Sequence, residues 1–262
     1  MSATAYYWDS ISLEHLTSPI HVERPERTGR LRPETIRKRT SGLDFRKVDS
    51  HDASKWVLKV HEPAHHEQVR EAHARGARKL DEGDTLVSAR SYDAALAAVD
   101  AALTAADVVV SGEVRNAFCA VRPPGHHAYP FKSIGFCLFA TAAVLARYLQ
   151  ERHRLRRVAI VDWDVHHGNG TQNVFWTDPE VLFVSIHQNP LWPGSGLEWE
   201  RGGGGGEGAT LNLAMSPGME EEPYLSRFEE EVVPALQVFC PEFLVISAGF
   251  DAHRGDPLGG LL

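Results

Sequence analysis

The sequence predicts an α/β fold in which helices sandwich a mostly parallel sheet. From Ala117 onward, short apolar runs of β type alternate with longer helical runs, which is the order of elements that builds parallel sheets. Clusters of histidine, aspartate and glycine directly follow several of the short runs. Ligands of such sheets bind beyond the carboxyl ends of the strands, so an active site is expected there.

The elements are expected in the following order. A basic stretch broken by Pro25 and Pro33 comes first, and helical patterns follow at residues 67–80 and 92–106. The alternation then comprises a strand at 117–121, a helix at 138–152, a strand at 158–161, a short helix near Thr171, a strand at 181–186, a strand near Leu211, a helix at 224–239 and a strand at 243–247. No repeat and no long low-complexity linker interrupts this order, so residues 1–262 are expected to form a single domain.

Composition narrows the class of protein. With 43% hydrophobic and 24% charged residues, the chain is expected to be soluble and globular. Its longest apolar run, 136–146, is about half of the roughly 20 residues that a membrane-spanning helix needs. Residues 1–13 lack the basic end and the apolar run of a secretory signal. No membrane association and no export are therefore expected.

Net charge limits the classes of binding partner, and cysteine content indicates the redox state of the cellular compartment. The net charge of −8 argues against nucleic acid as a partner and suits a cationic substrate or peptide. The three cysteines are widely spaced and odd in number, which indicates neither a disulfide framework nor a thiolate metal cluster. A reducing, cytoplasmic location is therefore expected.

Three polar residues spaced by two follow the predicted strand at 158–161. In extended backbone Asp162, Asp164 and His166 point to one face, which gathers two carboxylates and an imidazole. Asp251, after the strand at 243–247, can add a carboxylate from another loop. Two carboxylates and one imidazole are three protein ligands, the arrangement of a catalytic zinc ion that keeps its fourth position open. The alternative is a strand-end cap whose histidines only face solvent.

A pair of adjacent histidines follows another predicted strand. His126 and His127 come after Pro123-Pro124-Gly125, a stiff turn that fixes where both rings point. They could be metal ligands, acid/base groups or two hydrogen-bonded loop residues. Because carboxylates and His166 already supply metal ligands, and because an imidazole titrates near neutral pH, general acid/base work is the preferred interpretation.

These segments resemble the zinc-dependent deacetylase family, the histone deacetylases and acetylpolyamine amidohydrolases, which have the arginase-like α/β fold. The resemblance is carried by Arg122-Pro-Pro-Gly-His-His-Ala128, Gly135-Phe-Cys-Leu-Phe139, residues 162–172, Val184-Ser-Ile-His187 and residues 247–257. Pro25-Glu26-Arg27 and Gly83-Asp84-Thr85 resemble earlier family segments more weakly. The resemblance, which is to class II and bacterial members, implies a hydrolase that removes acetyl groups from lysine side chains or related amines.

The resemblance also implies a role for each site residue. Asp164, His166 and Asp251 would hold the zinc ion. The catalytic groups would be His126, His127, Asp162 and Asn169. The two histidines would flank the attacking water, with Asp162 beside the first histidine and Asn169 beside the second.

Two further sites follow from the same resemblance. A potassium ion would be held by Asp162, Ser185 and the backbone carbonyls of Asp164, His166 and Ile186. Substrate would contact Asp84, Gly135, Phe136, Trp192 and Leu258. Phe136 and Trp192 would form walls of a narrow tunnel for the acyl-lysine stem, and Asp84 would hold substrate backbone amides at the rim.

The chain departs from the family pattern in two respects that bear on activity. The family places a tyrosine in a Gly-Gly-Tyr turn some tens of residues past the last motif, where its hydroxyl donates to the developing oxyanion, whereas this sequence ends at Leu262. The sequence is therefore expected to be a catalytic domain that is incomplete at its C-terminus. The polyamine-selective branch carries an acidic residue where this chain has Leu258, so acyl-lysine is expected in preference to acetylpolyamine.

Two other functions stay open at this point. A non-catalytic acyl-lysine-binding pseudoenzyme, or a fragment without the tyrosine, would keep the zinc pocket and bind acetylated peptide without turnover. A ureohydrolase of the same fold needs two metal ions and additional aspartates. Asp251 is followed by Ala252-His253 without a second aspartate two places on, which argues against that binuclear site.

A group of four histidines has no partner motif. These residues are His61, His65, His66 and His73, all within or near one predicted helix. They are expected to form a solvated helix face rather than a metal site.

Overall fold

Two parallel β-sheets organise the protein, as seen in a computed structural model that describes residues 4–262. The first sheet lies in a compact unit that ends at Tyr148, and the second lies in a compact unit that begins at Leu149. The α/β class with parallel sheets is thereby confirmed. Residues 1–3, part of the segment considered above as a secretory signal, lie outside the described residues. The expectation of a single domain, incomplete at its C-terminus, stays a prediction.

The first unit is built on a three-stranded sheet with strand order β2-β1-β3. Its strands are β1 (Thr4–Tyr7), β2 (Leu43–Arg46) and β3 (Ala117–Cys119). Its helices are α1 (Pro25–Gly29), α2 (Pro33–Ile36), α3 (Ala53–Val57), α4 (Pro63–Glu71) and α5 (Ser91–Val110), and α6 (Thr141–His153) begins in it. Ala101 and Ala105 of α5 form one apolar cluster with Ala5 and Tyr7 of β1, because small side chains let this Ala-rich helix approach the sheet closely.

The second unit is built on a four-stranded sheet with strand order β6-β5-β4-β7. Its strands are β4 (Val158–Asp162), β5 (Val181–Gln188), β6 (Thr210–Met215) and β7 (Phe243–Ser247). Its helices are α7 (Asn169–Phe175), α8 (Glu221–Arg227) and α9 (Val233–Phe239), and a π-helical segment, Phe228–Val232, joins the last two. The central strands β4 and β5 are buried along their whole length, including the polar residues at their carboxyl ends.

The predicted elements agree with the structure best where the apolar pattern is strongest. The strand at 243–247 has the predicted bounds, and the strand at 158–161 extends by one residue to Asp162. The helix expected at 67–80 instead runs from Pro63 to Glu71, because Pro63 fits the first turn of a helix. The short strands β1 and β2 were not expected. Among the described residues, no helix is both long and apolar enough to cross a membrane.

The expectation of a solvated histidine face is wrong for three of the four residues. His61, His65 and His66 are buried, and only His73 is exposed. The ring of His61 bridges two backbone groups: Nδ1 donates to the carbonyl of Tyr129 at 3.1 Å, and Nε2 accepts from the amide of Ala140 at 2.9 Å. Burial lowers the pKa of His61 to about 3, so this imidazole is neutral and serves as a structural link.

Candidate active site

Sheet register brings three chemically active side chains of the second unit together. Strand β4 pairs with β7 so that Asp162 lies opposite Ser247, and the loops that follow these two strands therefore start side by side. The loop after β4 carries Asp164 and His166, and the loop after β7 carries Asp251. Gly249 permits the close approach, since a Cβ there would lie only 2.6 Å from the Cα of Asp164.

The side chains of Asp164, His166 and Asp251 converge on one point. Their potential ligand atoms all lie within 4.8 Å of one another. The Nδ1 of His166 is 2.9 Å from Asp164 Oδ1 and 2.9 Å from Asp251 Oδ2. Backbone amides hold both carboxylates in place: His166 N donates to Asp164 at 2.8 Å, and Val165 N donates to Asp251 at 2.9 Å. The three side chains are 15–18% exposed, so the cluster is sheltered yet open to solvent.

The electrostatics of this cluster favour a cation. Burial alone lowers the pKa of an imidazole, but hydrogen bonds and charge from Asp164 and Asp251 outweigh it and raise the pKa of His166 to about 9. Two carboxylates facing one imidazole therefore carry excess negative charge. One nitrogen and two oxygen donors are a ligand set that zinc accepts.

Trp192 lies beside this cluster. Its ring centroid is 6.2 Å from that of His166 with an interplanar angle of 69°, and the side chain is 45% exposed. An exposed indole next to potential metal ligands can pack against the apolar stem of a substrate. Leu258, the other substrate residue expected in this unit, is half-buried and donates its amide to Asp256 at 3.0 Å.

The residues expected to bind potassium lie at the adjoining strand ends. Asp162 of β4 pairs in register with Ser185 of β5, and both are fully buried. Ile186 follows Ser185 in the same strand. The Oγ of Ser185 accepts from Gly168 N at 3.4 Å and lies 3.0 Å from His187 Nδ1, so this hydroxyl takes part in local hydrogen bonding.

In the first unit, His126 and His127 form a buried pair of closely spaced, tilted rings. Their centroids are 3.8 Å apart with an interplanar angle of 41°. The peptide bond between Arg122 and Pro123 is cis, and the loop that follows it carries the pair. The amide of His127 donates to the Sγ of Cys137 at 3.4 Å, which ties the pair to the segment that contains Phe136.

Phe136 lies in a tight turn with an unusual backbone. Gly135 and Phe136 have φ values of 59° and 66°, and Cys137 N closes the turn on Ile134 O at 3.1 Å. A phenylalanine in the left-handed region is rare and occurs most often where a function holds it in place. The amide of Phe136 donates to Thr85 Oγ1 at 3.1 Å, next to Asp84 in the chain.

Asp84 is exposed, and a residue that sequence reasoning missed accompanies it. His21 packs edge-on against Phe136 with ring centroids 4.9 Å apart, and its Nε2 is 3.8 Å from Asp84 Oδ2. The turn itself is capped by Asp81, which accepts from the amide and the hydroxyl of Thr85. Asp84 is therefore not needed for that turn. No local pattern marked His21, because its partners lie about 60 and 115 residues further along the chain.

The expected partners of the histidine pair belong to the other unit. Asp162 and Asn169 are both buried, and Asn169 begins α7. Their pairing with His126 and His127 stays a prediction. The described geometry thus comprises a carboxylate–imidazole cluster beside Trp192 in one unit, and a histidine pair tied to the Phe136 turn in the other.

Comparisons with known proteins agree on one family. The family model described as histone deacetylase domain matches residues 21–262. A probable deacetylase of Archaeoglobus fulgidus is 39% identical over 255 residues, which are 95% of this chain and 69% of that protein. The fold is similar to that of the HDA15 HD domain, with a TM-score of 0.92 and 34% identity over 99% of this chain and 75% of the other.

A further solved structure supports the same assignment. The acetylpolyamine aminohydrolase from Burkholderia pseudomallei has a TM-score of 0.88 and 30% identity, and the similarity covers 99% of this chain and 85% of that one. The range matched by the family model includes both histidine-rich loops and the loop of Asp251. The chain therefore belongs to the histone deacetylase domain family.

Proposed function

We propose that the chain is a zinc-dependent amide hydrolase that removes acetyl or other acyl groups from lysine side chains or related amines. The observation that carries this proposal is the convergence of Asp164, His166 and Asp251 within 4.8 Å at the carboxyl ends of two neighbouring strands. Membership of the histone deacetylase domain family supports a hydrolase. The deacetylase and aminohydrolase names of similar proteins support the choice of an acetylated amine as substrate.

The cluster fits zinc in both number and kind of donors. It offers one imidazole nitrogen and two carboxylates, a set that occupies three positions of a tetrahedral ion. When bound, zinc supplies a Lewis acid that polarises the amide carbonyl and makes water more acidic. Backbone amides that donate to Asp164 and Asp251 keep these carboxylates oriented before the ion arrives.

His126 and His127 are the proposed proton-transfer groups. Their rings lie 3.8 Å apart, and a neutral imidazole at this position can take the proton of the attacking water. The pair then returns a proton to the leaving amine. Asp162 and Asn169 are proposed to orient the two imidazoles as hydrogen-bond partners. A potassium ion held by Asp162, Ser185 and the carbonyls of Asp164, His166 and Ile186 is proposed as a structural ion.

The proposed substrate is an acetylated lysine in a peptide or protein. Phe136 and Trp192, with Gly135 allowing the turn, would flank the apolar lysine stem. Asp84 is exposed and offers a carboxylate to substrate backbone amides. Leu258 presents an apolar side chain where a polyamine would gain from a carboxylate, which favours acyl-lysine.

The test combines zinc content with hydrolysis of a fluorogenic acetyl-lysine peptide. Recombinant protein, as given and extended through any downstream reading frame, is expected to bind one zinc ion per chain, and the form that carries the tyrosine is expected to release the fluorophore. Asp164→Asn should remove both properties, because it withdraws one charged ligand from the cluster, whereas the exposed Asp93→Asn should retain both. Normal turnover in Asp164→Asn would defeat the assignment. Binding of a hydroxamate and zinc without any turnover would instead favour the pseudoenzyme.

A further inference from the structure

A series of hydrogen bonds links His167, the neighbour of a potential metal ligand, to the loop that carries Trp192. The loop comprises residues 189–200 and is here called the Trp192 loop. His167 directly follows His166, and its side chain is 1% exposed. Its Nδ1 lies 2.8 Å from the Oγ of Ser195 in the Trp192 loop, and its Nε2 lies 3.0 Å from the Oε1 of Gln172.

The donor and the acceptor in each of these hydrogen bonds follow from the other bonds that the same groups make. Gln172 Oε1 also receives the amide of Asn212 at 2.7 Å, so this oxygen is an acceptor and the Nε2 of His167 carries the proton. His167 Nδ1 consequently accepts the hydroxyl proton of Ser195. The Nε2 of Gln172 donates to Glu200 Oε2 at 2.7 Å. The hydrogen bonds therefore run from Ser195 through His167 and Gln172 to the carboxylate of Glu200.

Glu200 closes the Trp192 loop on itself at the same time. Its Oε1 accepts the amides of Gly196 at 3.1 Å and Leu197 at 3.0 Å. The carboxylate thus receives three N–H groups, two from the loop and one from Gln172. Both side-chain oxygens of Glu200 accept hydrogen bonds, one of them two and the other one. A carboxylate can do this, whereas a carboxamide has only one oxygen.

Gly196 presses the loop against two imidazoles. Its φ is +83°, and a Cβ at this position would lie 2.5 Å from the ring of His167 and 2.5 Å from Nε2 of His187. The carbonyl of Gly196 accepts from that Nε2 at 2.8 Å. The loop can therefore not shift without moving His167, and His167 adjoins His166, whose ring faces Trp192 at 6.2 Å.

We propose that Glu200 is a positioning residue that sets the placement of Trp192 relative to His166 through Gln172 and His167. This role rests on the proposed function, since it makes Glu200 responsible for the width of the slot that would grip the acyl-lysine stem. Glu200 is not one of the proposed zinc ligands or substrate contacts. Its contribution is the acceptor pattern that fixes the tautomer of His167 and the closure of the Trp192 loop.

The substitution Glu200→Gln tests the pattern with little change in shape. The NH2 group of Gln at position 200 would meet an N–H donor in either orientation, from the loop amides or from Gln172. If it faces Gln172, the side-chain amide of Gln172 must turn over, and its own NH2 group then faces the donors of His167 and Asn212. The double variant Gln172→Glu with Glu200→Gln restores the pattern, because the carboxylate then accepts from His167, Asn212 and the amide at position 200. Glu198→Gln is the matched control, since Glu198 lies in the same loop but pairs with Arg227.

The readout is the environment of Trp192, measured without turnover. The six tryptophans are labelled with 5-fluorotryptophan, and the Trp192 line in the ¹⁹F NMR spectrum is assigned by its absence in Trp192→Phe. Glu200→Gln should shift or split this line and lower kcat/KM for the acetyl-lysine peptide by about 10- to 100-fold, mainly through KM. The double variant and Glu198→Gln should resemble the parent protein. Ser195→Ala, a milder change, should move the same line by less.

An unmoved Trp192 line in Glu200→Gln and Ser195→Ala would overturn the proposal, even if unfolding became easier, because Glu200 would then only stabilise the fold. Failure of the double variant to restore the line in a folded protein would also overturn it. A line that moves as expected in a protein that hydrolyses no acetyl-lysine peptide would refute the proposed function and support the positioning role alone.

Discussion

Two histidine-rich regions of the chain differ in how neighbouring groups shift the pKa of an imidazole. In the first unit, burial and the neighbouring His65 lower the pKa of His61 to about 3, although the hydrogen bond to the carbonyl of Tyr129 acts in the opposite direction. In the second unit, hydrogen bonds and charge from Asp164 and Asp251 overcome burial and raise the pKa of His166 to about 9. A dense run of histidines is therefore no sign of a metal site unless carboxylates face it.

The two imidazoles also differ in the groups that they connect. His61 joins two backbone groups, Tyr129 O and Ala140 N, and thus holds two ends of the loop that carries Phe136. His166 joins two acidic side chains whose like charges repel each other. Removal of the first ring should cost stability, and removal of the second should cost metal affinity. The following predictions test that division.

The largest expected effect is on zinc binding by His166→Ala. Loss of one of three ligands should weaken zinc affinity by about 10³-fold or more, since changes behind the ligands alone cost about 10- to 100-fold. Competition with a chromophoric chelator measures the affinity. The exposed His73→Ala serves as the control and should bind zinc as the parent does. An affinity of His166→Ala within tenfold of the parent would exclude His166 as a ligand.

The second prediction concerns His61→Ala, which should lower the free energy of unfolding by about 2–4 kcal/mol. The substitution leaves Tyr129 O and Ala140 N without their partner and opens a cavity beside Phe139. Urea unfolding measures the loss. His73→Ala should change stability by less than about 0.5 kcal/mol, as expected of an exposed position. Equal effects of the two substitutions would show that the His61 bridge contributes nothing.

The third prediction gives the sign of the pH dependence. His61 binds a proton near pH 6.5 when unfolded and near pH 3 when folded, so the unfolded state holds more protons between these values. Its stabilising contribution is complete above pH 6.5 and falls as the pH drops toward 3, by about 2 kcal/mol at pH 5. Unfolding free energies of the parent and His61→Gln should converge on acidification. Parallel pH profiles would contradict a neutral, buried His61.

The smallest expected effect comes from Gly249→Ala. A methyl group there would lie 2.2–2.6 Å from Asp164, including its Cα, so the two loops must move apart by about 1 Å, which weakens zinc binding by about tenfold. Chelator competition again measures the change. Gly83→Ala is the control, since a Cβ there would meet no atom closer than 3.4 Å. Unchanged affinity in Gly249→Ala would mean that the two loops can separate without cost to the cluster.

The sequence predicted the strand-end cluster because polar residues directly follow two neighbouring strands. Asp164 and His166 follow β4, and the Asp251 loop follows a strand that pairs with β4. Neither inference needs distant contacts. The expected strand face does not position Asp164 and His166, since β4 ends at Asp162 and residues 164–166 form bends. Their roles as zinc ligands remain proposals, and so does the pairing of the histidine pair with Asp162 and Asn169.

Features that depend on remote backbone groups escaped prediction. The buried ring of His61 accepts a hydrogen bond from the amide of Ala140, which lies 79 residues away. Helical periodicity in the sequence cannot predict such a contact. Glu200 forms its hydrogen bond with Gln172, which lies 28 residues earlier, so no local pattern marks it. Short strands such as β1 and β2 carry four residues each, too few for a clear alternation.

The left-handed turn at Gly135 and Phe136 has a consequence for directed evolution. A phenylalanine at φ 66° costs about 1 kcal/mol that glycine would not. A library selected only for thermal survival should therefore drift toward glycine or asparagine at position 136. Selection for growth on an acetylated substrate should hold the aromatic ring there. The frequency of phenylalanine in the two selected populations would then measure how strongly its ring is required for function.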